Sequence, residues 1–107
     1  MSEPIITRGS TNVFADLGFE NAEELLAKSE LAAQILKTVR ARRLTQAKAG
    51  ELLGISQPKV SALLNGRLDG FSTDRLFRFL TKLGWDVQIK LSKAKSKSNG
   101  HVRVTSA

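Results

Sequence analysis

The chain contains no cysteine and no tyrosine, and only one histidine, one tryptophan and one methionine. Without cysteine there is no disulfide framework and no thiolate metal site. The lone histidine, His101, and the lack of paired carboxylates in an apolar setting leave no nucleophile–base arrangement to assemble. No catalytic activity, metal or cofactor is expected. No apolar run approaches the roughly 20 residues that cross a bilayer. Met1 to Ser10 holds one arginine with no apolar stretch behind it, unlike a secretory leader. A membrane partner is therefore not expected, and a cytoplasmic setting is.

What the chain has in excess is positive charge, unevenly placed. Its net charge is +7 over 107 residues. Residues 1–35 carry two basic against six acidic side chains, a net −4, whereas residues 36–107 carry fifteen against four, a net +11. Such a length suits one small domain with a modest core. A basic half is what neutralising phosphates requires. A lysine-rich solvated surface with a basic tail would carry the same charge, so charge alone leaves the two readings even.

Residues 1–20 read as an irregular arm, with Val13–Phe19 an apolar patch docked on the core. Asn21 offers a helix cap, completed as a capping box by Glu24. Leu25, Leu26, Ala32, Ile35, Leu36 and Val39 recur at helical spacing and predict helix over 21–42, with Ser29 able to cap a second piece. Thr45 caps the next helix, which stops at Gly54. Ser56 caps a third, with Pro58 in its first turn and Asn65-Gly66 at its end. Ser72 caps a fourth, stapled by Phe71 and Leu76, with a buried stripe of Leu76, Phe77, Leu80 and Leu83 and with Arg75 and Arg78 as plain surface. From Trp85 the period changes to two, and Val87, Ile89 and Leu91 alternate with Asp86, Gln88 and Lys90. This predicts a strand over 85–91, whose open edges call for a second segment or a second chain. The Ser- and Lys-rich stretch from Ser92 predicts a basic flexible tail over 92–107, with His101–Thr105 as a weak second strand. The expected division is an arm (1–20), a helical domain (21–84), a dimerisation strand (85–91) built on Trp85, Val87, Ile89 and Leu91, and the tail (92–107).

Residues 45–66 are the most informative. Two short helices joined by a tight turn, with polar side chains free at the start of the second, form a helix-turn-helix that offers a recognition helix to the DNA major groove. Gly50 falls mid-helix, where glycine costs about 0.5–1 kcal/mol against alanine, and points to the third helix crossing tightly over it. Gly54 turns the chain, while Ala49, Leu53, Ile55, Val60 and Leu63 fill the space between the helices. Gln57, Pro58, Ser61 and Ala62 face outward, with Asn65 one turn further along.

On Gln46, Gly50, Gly54, Val60 and Asn65-Gly66, this segment resembles the helix-turn-helix of the XRE family, which includes the lambdoid phage repressors and Cro. The resemblance implies an all-α, repressor-like domain of four to five helices. With the predicted C-terminal strand paired between two copies, it would insert the helix at 57–65 into double-stranded DNA as a homodimer. Gln57 is similar to the glutamine that pairs bidentately with adenine, and Ser61, Pro58 and Ala62 share its base-facing side. Gln46 resembles a glutamine that contacts phosphate and braces that side chain, and Asn65 an asparagine that contacts phosphate. Lys59, on that helix, can reach a guanine or a phosphate or stay solvated and is expected at a phosphate, as are Arg67, Lys48 and Arg43, which flank the motif. Pro58 stands where a small polar residue is usual, so the target sequence does not carry over. The wider chain resembles HigA-type antitoxins on Asn21–Leu26 and Gly84–Val87. The expected function is a sequence-specific DNA-binding repressor. The alternative is an antitoxin that binds and silences a RelE-like toxin and represses its own operon.

Overall fold

The computed structural model describes residues 21–94 and 101–106. The arm at 1–20 with its Val13–Phe19 patch, the Asn21 side-chain cap and the tail residues 95–100 lie outside the described residues. Four helices are present among the described residues: α1 (Asn21–Ala41), α2 (Gln46–Leu53), α3 (Gln57–Leu64) and α4 (Thr73–Lys82). No residue in the described part belongs to a strand.

Helix α1 runs unbroken through Ser29. One face supplies Ala27, Leu31, Ala32, Ile35 and Val39 to the core, and a break at Ser29 would split this buried stripe. The stripe corrects the sequence reading. Leu25 and Leu26 are 57% and 47% exposed, because at about 100° per residue they fall on either side of the arc that Ala27 and Leu31 occupy. Helices α3 and α4 pack against α1, and α2 packs against α3 and α4. The core between them is closed by Leu53, Val60, Leu63, Leu68, Phe71, Leu76, Phe79, Leu80 and Leu83.

Of the predicted caps, those of α2, α3 and α4 are made. Thr45, Ser56 and Ser72 sit in extended backbone and accept from the main-chain N–H of Lys48, Lys59 and Arg75 at 3.1, 3.4 and 3.2 Å. Helix ends share a device too. In α1, α3 and α4 the last turn closes with paired bonds of the Schellman type, Leu44 N to Val39 O and Arg43 N to Arg40 O in α1, Arg67 N to Ala62 O in α3 and Trp85 N to Leu80 O in α4.

Helix α4 departs from the expected surface in one respect. Arg75 is not plain surface: its guanidinium lies 5.3 and 5.5 Å from the ring centroids of Phe71 and Phe79 and donates to Gly70 O at 3.4 Å. Those two rings meet edge to face, 6.0 Å apart. Phe79 is buried and Phe77 only half-buried, because Phe71, arriving from the loop, packs on the 79 side. Arg78 is exposed, as read.

The strand at 85–91 is not formed. Its backbone has no ladder partner among the described residues, and an extended segment without one is not a strand. Trp85, expected in that strand, turns back on α1 instead and donates from Nε1 to Thr38 Oγ1 at 2.9 Å. Beyond it Val87, Ile89 and Leu91 are 36%, 55% and 62% exposed. His101–Thr105 is not a strand either, but it is held along α1. His101 Nδ1 lies 2.9 Å from Glu23 Oε1, Val104 N donates to Glu30 Oε1 at 3.2 Å, and the Val104 side chain packs against the core.

Thr73 is fully buried, and its hydroxyl has no hydrogen-bond partner among the described residues. A buried hydroxyl without a partner costs about 1–3 kcal/mol. Thr73→Val keeps the shape and removes the hydroxyl, so stability in urea should rise by about 1 kcal/mol. A lower unfolding midpoint would show that the hydroxyl is satisfied after all.

Candidate nucleic-acid interface

Helix α2 ends at Gly54, whose φ of +76° is the left-handed conformation that closes the turn; its N–H and that of Ile55 both reach Gly50 O, at 2.8 and 3.0 Å. Ser56 restarts the chain as α3, with Pro58 in the first turn where its missing N–H leaves no bond unmade. Val60 and Leu63 are buried, which locks the opposite side of α3 toward solvent. Ala49 and Gly50 are buried on the α2 side, and Ile55 packs against the rim of the core. The six motif-packing residues thus sit as their types demand.

The outward side of α3 carries the predicted base-facing residues. Gln57 and Pro58 are exposed, and Ser61 is half-buried one turn on. Ala62 is half-buried and packs against the core, so it presents only an edge. Asn65 is exposed, but its amide is committed: Nδ2 donates to Ser61 O at 2.8 Å and lies 3.3 Å from Ser61 Oγ. Gln46, the first residue of α2, is half-buried. The brace from Gln46 to Gln57 is not made among the described residues, where the polar bonds at this site are the caps and the Ser61–Asn65 pair.

Arg43, Lys48, Lys59 and Arg67 are all exposed. None is in a salt bridge among the described residues, where Lys28 and Arg103 pair with glutamates of α1. Exposed cations outside ion pairs raise the local positive potential. Arg43 carries a further mark: its φ of +54° makes it the one non-glycine residue in left-handed backbone among the described residues. That conformation costs an L-residue about 1–2 kcal/mol, and the ends of α2, α3 and α4 meet the same demand with Gly54, Gly66 and Gly84.

Two residues that no local pattern marks hold the motif in place. Lys82, at the end of α4, donates from Nζ to Leu53 O at 3.4 Å and so ties α4 to the end of α2. Arg42 Nη1 reaches Leu83 O at 3.3 Å and joins the ends of α1 and α4. Both contacts span long stretches of chain, which is why sequence spacing gives no sign of them.

Fold and site together define a helix-turn-helix protein, and a family model described as a helix-turn-helix domain matches residues 13–92. A solved structure provisionally assigned as an XRE family transcriptional regulator is 42% identical, with 82% of this chain and 100% of that chain covered and a TM-score of 0.78. The chain belongs to the XRE family of helix-turn-helix proteins. No curated protein matches it.

Proposed function

We propose that the chain is a sequence-specific DNA-binding transcriptional regulator, a repressor working in the cytoplasm as a homodimer. The observation that carries this reading is α3: one side locked by Val60 and Leu63, the other offering Gln57, Pro58 and Ser61 to solvent, with Arg43, Lys48, Lys59 and Arg67 in and beside the motif exposed and outside any salt bridge among the described residues. Gln57 and Ser61 read base edges, Pro58 and the Ala62 edge make apolar contact, and Gln46 and the four cations hold phosphates. Val87, Ile89 and Leu91 form the apolar surface that a second copy covers. One recognition helix reads too few base pairs for useful specificity, and a twofold pair places two half-sites about 34–36 Å apart.

Binding-site selection from a randomised duplex pool tests the reading. Two related half-sites one helical turn apart are the expected product. A single half-site would remove the dimer, and no enrichment would remove base reading. Phosphate contacts are tested by salt dependence: Lys59→Ala and Arg43→Gly should weaken selected and random duplex alike and lower the salt slope by about 1 each. Arg43→Gly should at the same time raise stability, since glycine adopts its backbone without strain. Weaker binding in a more stable protein leaves no room for misfolding as the cause. An unchanged slope in both variants would place neither at a phosphate.

A second reading, the antitoxin, draws on the likeness at Asn21–Leu26 and on the exposure of Leu25 and Leu26 there. An adjacent gene for a small toxin whose product co-purifies with this chain supports it. A neighbour that neither co-purifies nor is silenced removes it.

A further inference from the structure

We propose that Asn65 is a positioning residue that sets Ser61 as a hydrogen-bond donor toward a base edge, and that it is not a phosphate contact. The proposal rests on the reading of α3 as the recognition helix. Ser61 and Asn65 stand one turn apart on its outward side. Asn65 Nδ2 lies 2.8 Å from Ser61 O and 3.3 Å from Ser61 Oγ. A main-chain carbonyl only accepts, so the amide must present its nitrogen to Ser61, and the orientation of the Asn65 side chain follows from chemistry. The amide nitrogen is then turned toward Ser61, and Oδ1 is the atom left toward solvent.

A phosphate oxygen also only accepts. In this pose the Asn65 amide nitrogen is turned to Ser61 and away from a phosphate, which argues against the phosphate role implied by family resemblance. The effect on Ser61 is the reverse. One lone pair of its hydroxyl is taken by the amide, and a hydroxyl that accepts a hydrogen bond becomes a stronger donor. Its free O–H suits an acceptor in the major groove, such as purine N7, guanine O6 or thymine O4, ahead of the cytosine amino group. Asn65 therefore shapes what α3 reads without touching the base.

The test measures wild type, Ser61→Ala, Asn65→Ala and the double variant on three duplexes: the sequence that wild type selects from a random pool, its single-base variants, and random sequence. Asn65→Ala should weaken the selected duplex by about five- to tenfold, the effect of one hydrogen bond. It should leave random duplex and the salt slope unchanged, and relax the same base position as Ser61→Ala. The double variant should lose no more than Ser61→Ala alone. Base preference is a ratio within one preparation, so a reduced folded fraction does not move it. Equal loss on selected and random duplex with a lower salt slope would make Asn65 a phosphate contact and overturn the proposal, as would additive losses in the double variant. If wild type binds no duplex, the DNA reading itself falls, and the proposal falls with it.

Discussion

Gly50→Ala should destabilise the protein by about 1–3 kcal/mol, although the same change in a free helix is worth about 1 kcal/mol in the opposite direction. The reason lies in the turn. A Cβ on Gly50 would stand 2.7 Å from Ile55 O, 3.4 Å from Val60 Cγ2 and 3.9 Å from Gln57 N. The first contact is closer than real Cβ atoms come, and the atom it meets is main chain, which cannot swing aside as a side-chain tip would. Nor can the turn move freely. Gly50 O holds the N–H groups of Gly54 and Ile55, and Ser56 caps α3 just beyond. Relief must come from α3 drawing away from α2, which loosens Val60 in the core it shares with Ala49 and Leu53. In a domain of this size each kcal/mol lowers the melting temperature by about 4–8 °C. The urea midpoint should fall with the slope unchanged. A midpoint that holds or rises would mean that the turn yields and that close approach is not what glycine serves there.

Gln57→Ala should cost about 1–3 kcal/mol on the selected duplex, or roughly 5- to 150-fold in affinity at fixed salt, and almost nothing on random duplex. Gln57 is the first residue of α3 and is exposed. Its amide has no partner among the described residues, so its donor and its acceptor are both free for one base. Pro58 beside it offers no N–H to compete. Alanine at this position removes the bidentate contact while leaving the Ser56 cap and the buried side of α3 as they are, so stability should stay within about 0.5 kcal/mol. Competition binding against single-base variants checks the effect. Equal losses on selected and random duplex would assign Gln57 to the backbone of the DNA instead.

Much of this protein is local, and local features are legible. Thr45, Ser56 and Ser72 each cap a helix through a main-chain N–H three residues on, a contact that needs nothing from the rest of the fold. Gly54, Gly66 and Gly84 mark helix ends because their backbone turns left-handed. The period of α3 places Val60 and Leu63 inside and leaves Gln57, Pro58 and Ser61 outside. Sequence by itself therefore determined the helices over 46–82, the helix-turn-helix and the side of α3 that faces solvent.

What depended on how helices meet was decided only by the tertiary structure. Leu25 and Leu26 have the composition of a core stripe, but the arc that α3 and α4 cover on α1 passes through Ala27 and Leu31. Trp85 has the period of a strand, but Thr38 offers its indole a partner within reach of the α4 terminus. Arg75 is charged and sits on a helix surface, but the two phenylalanine rings beneath it come from opposite sides of the Ser72 cap. Gly50 was legible as a point of close approach, while its neighbour was not: the atom that excludes a side chain is a carbonyl of the turn, nearer than any atom of α3. The division follows from range. Capping, turn and period are set by residues within one or two turns, whereas burial is set by which surface arrives from elsewhere in the chain.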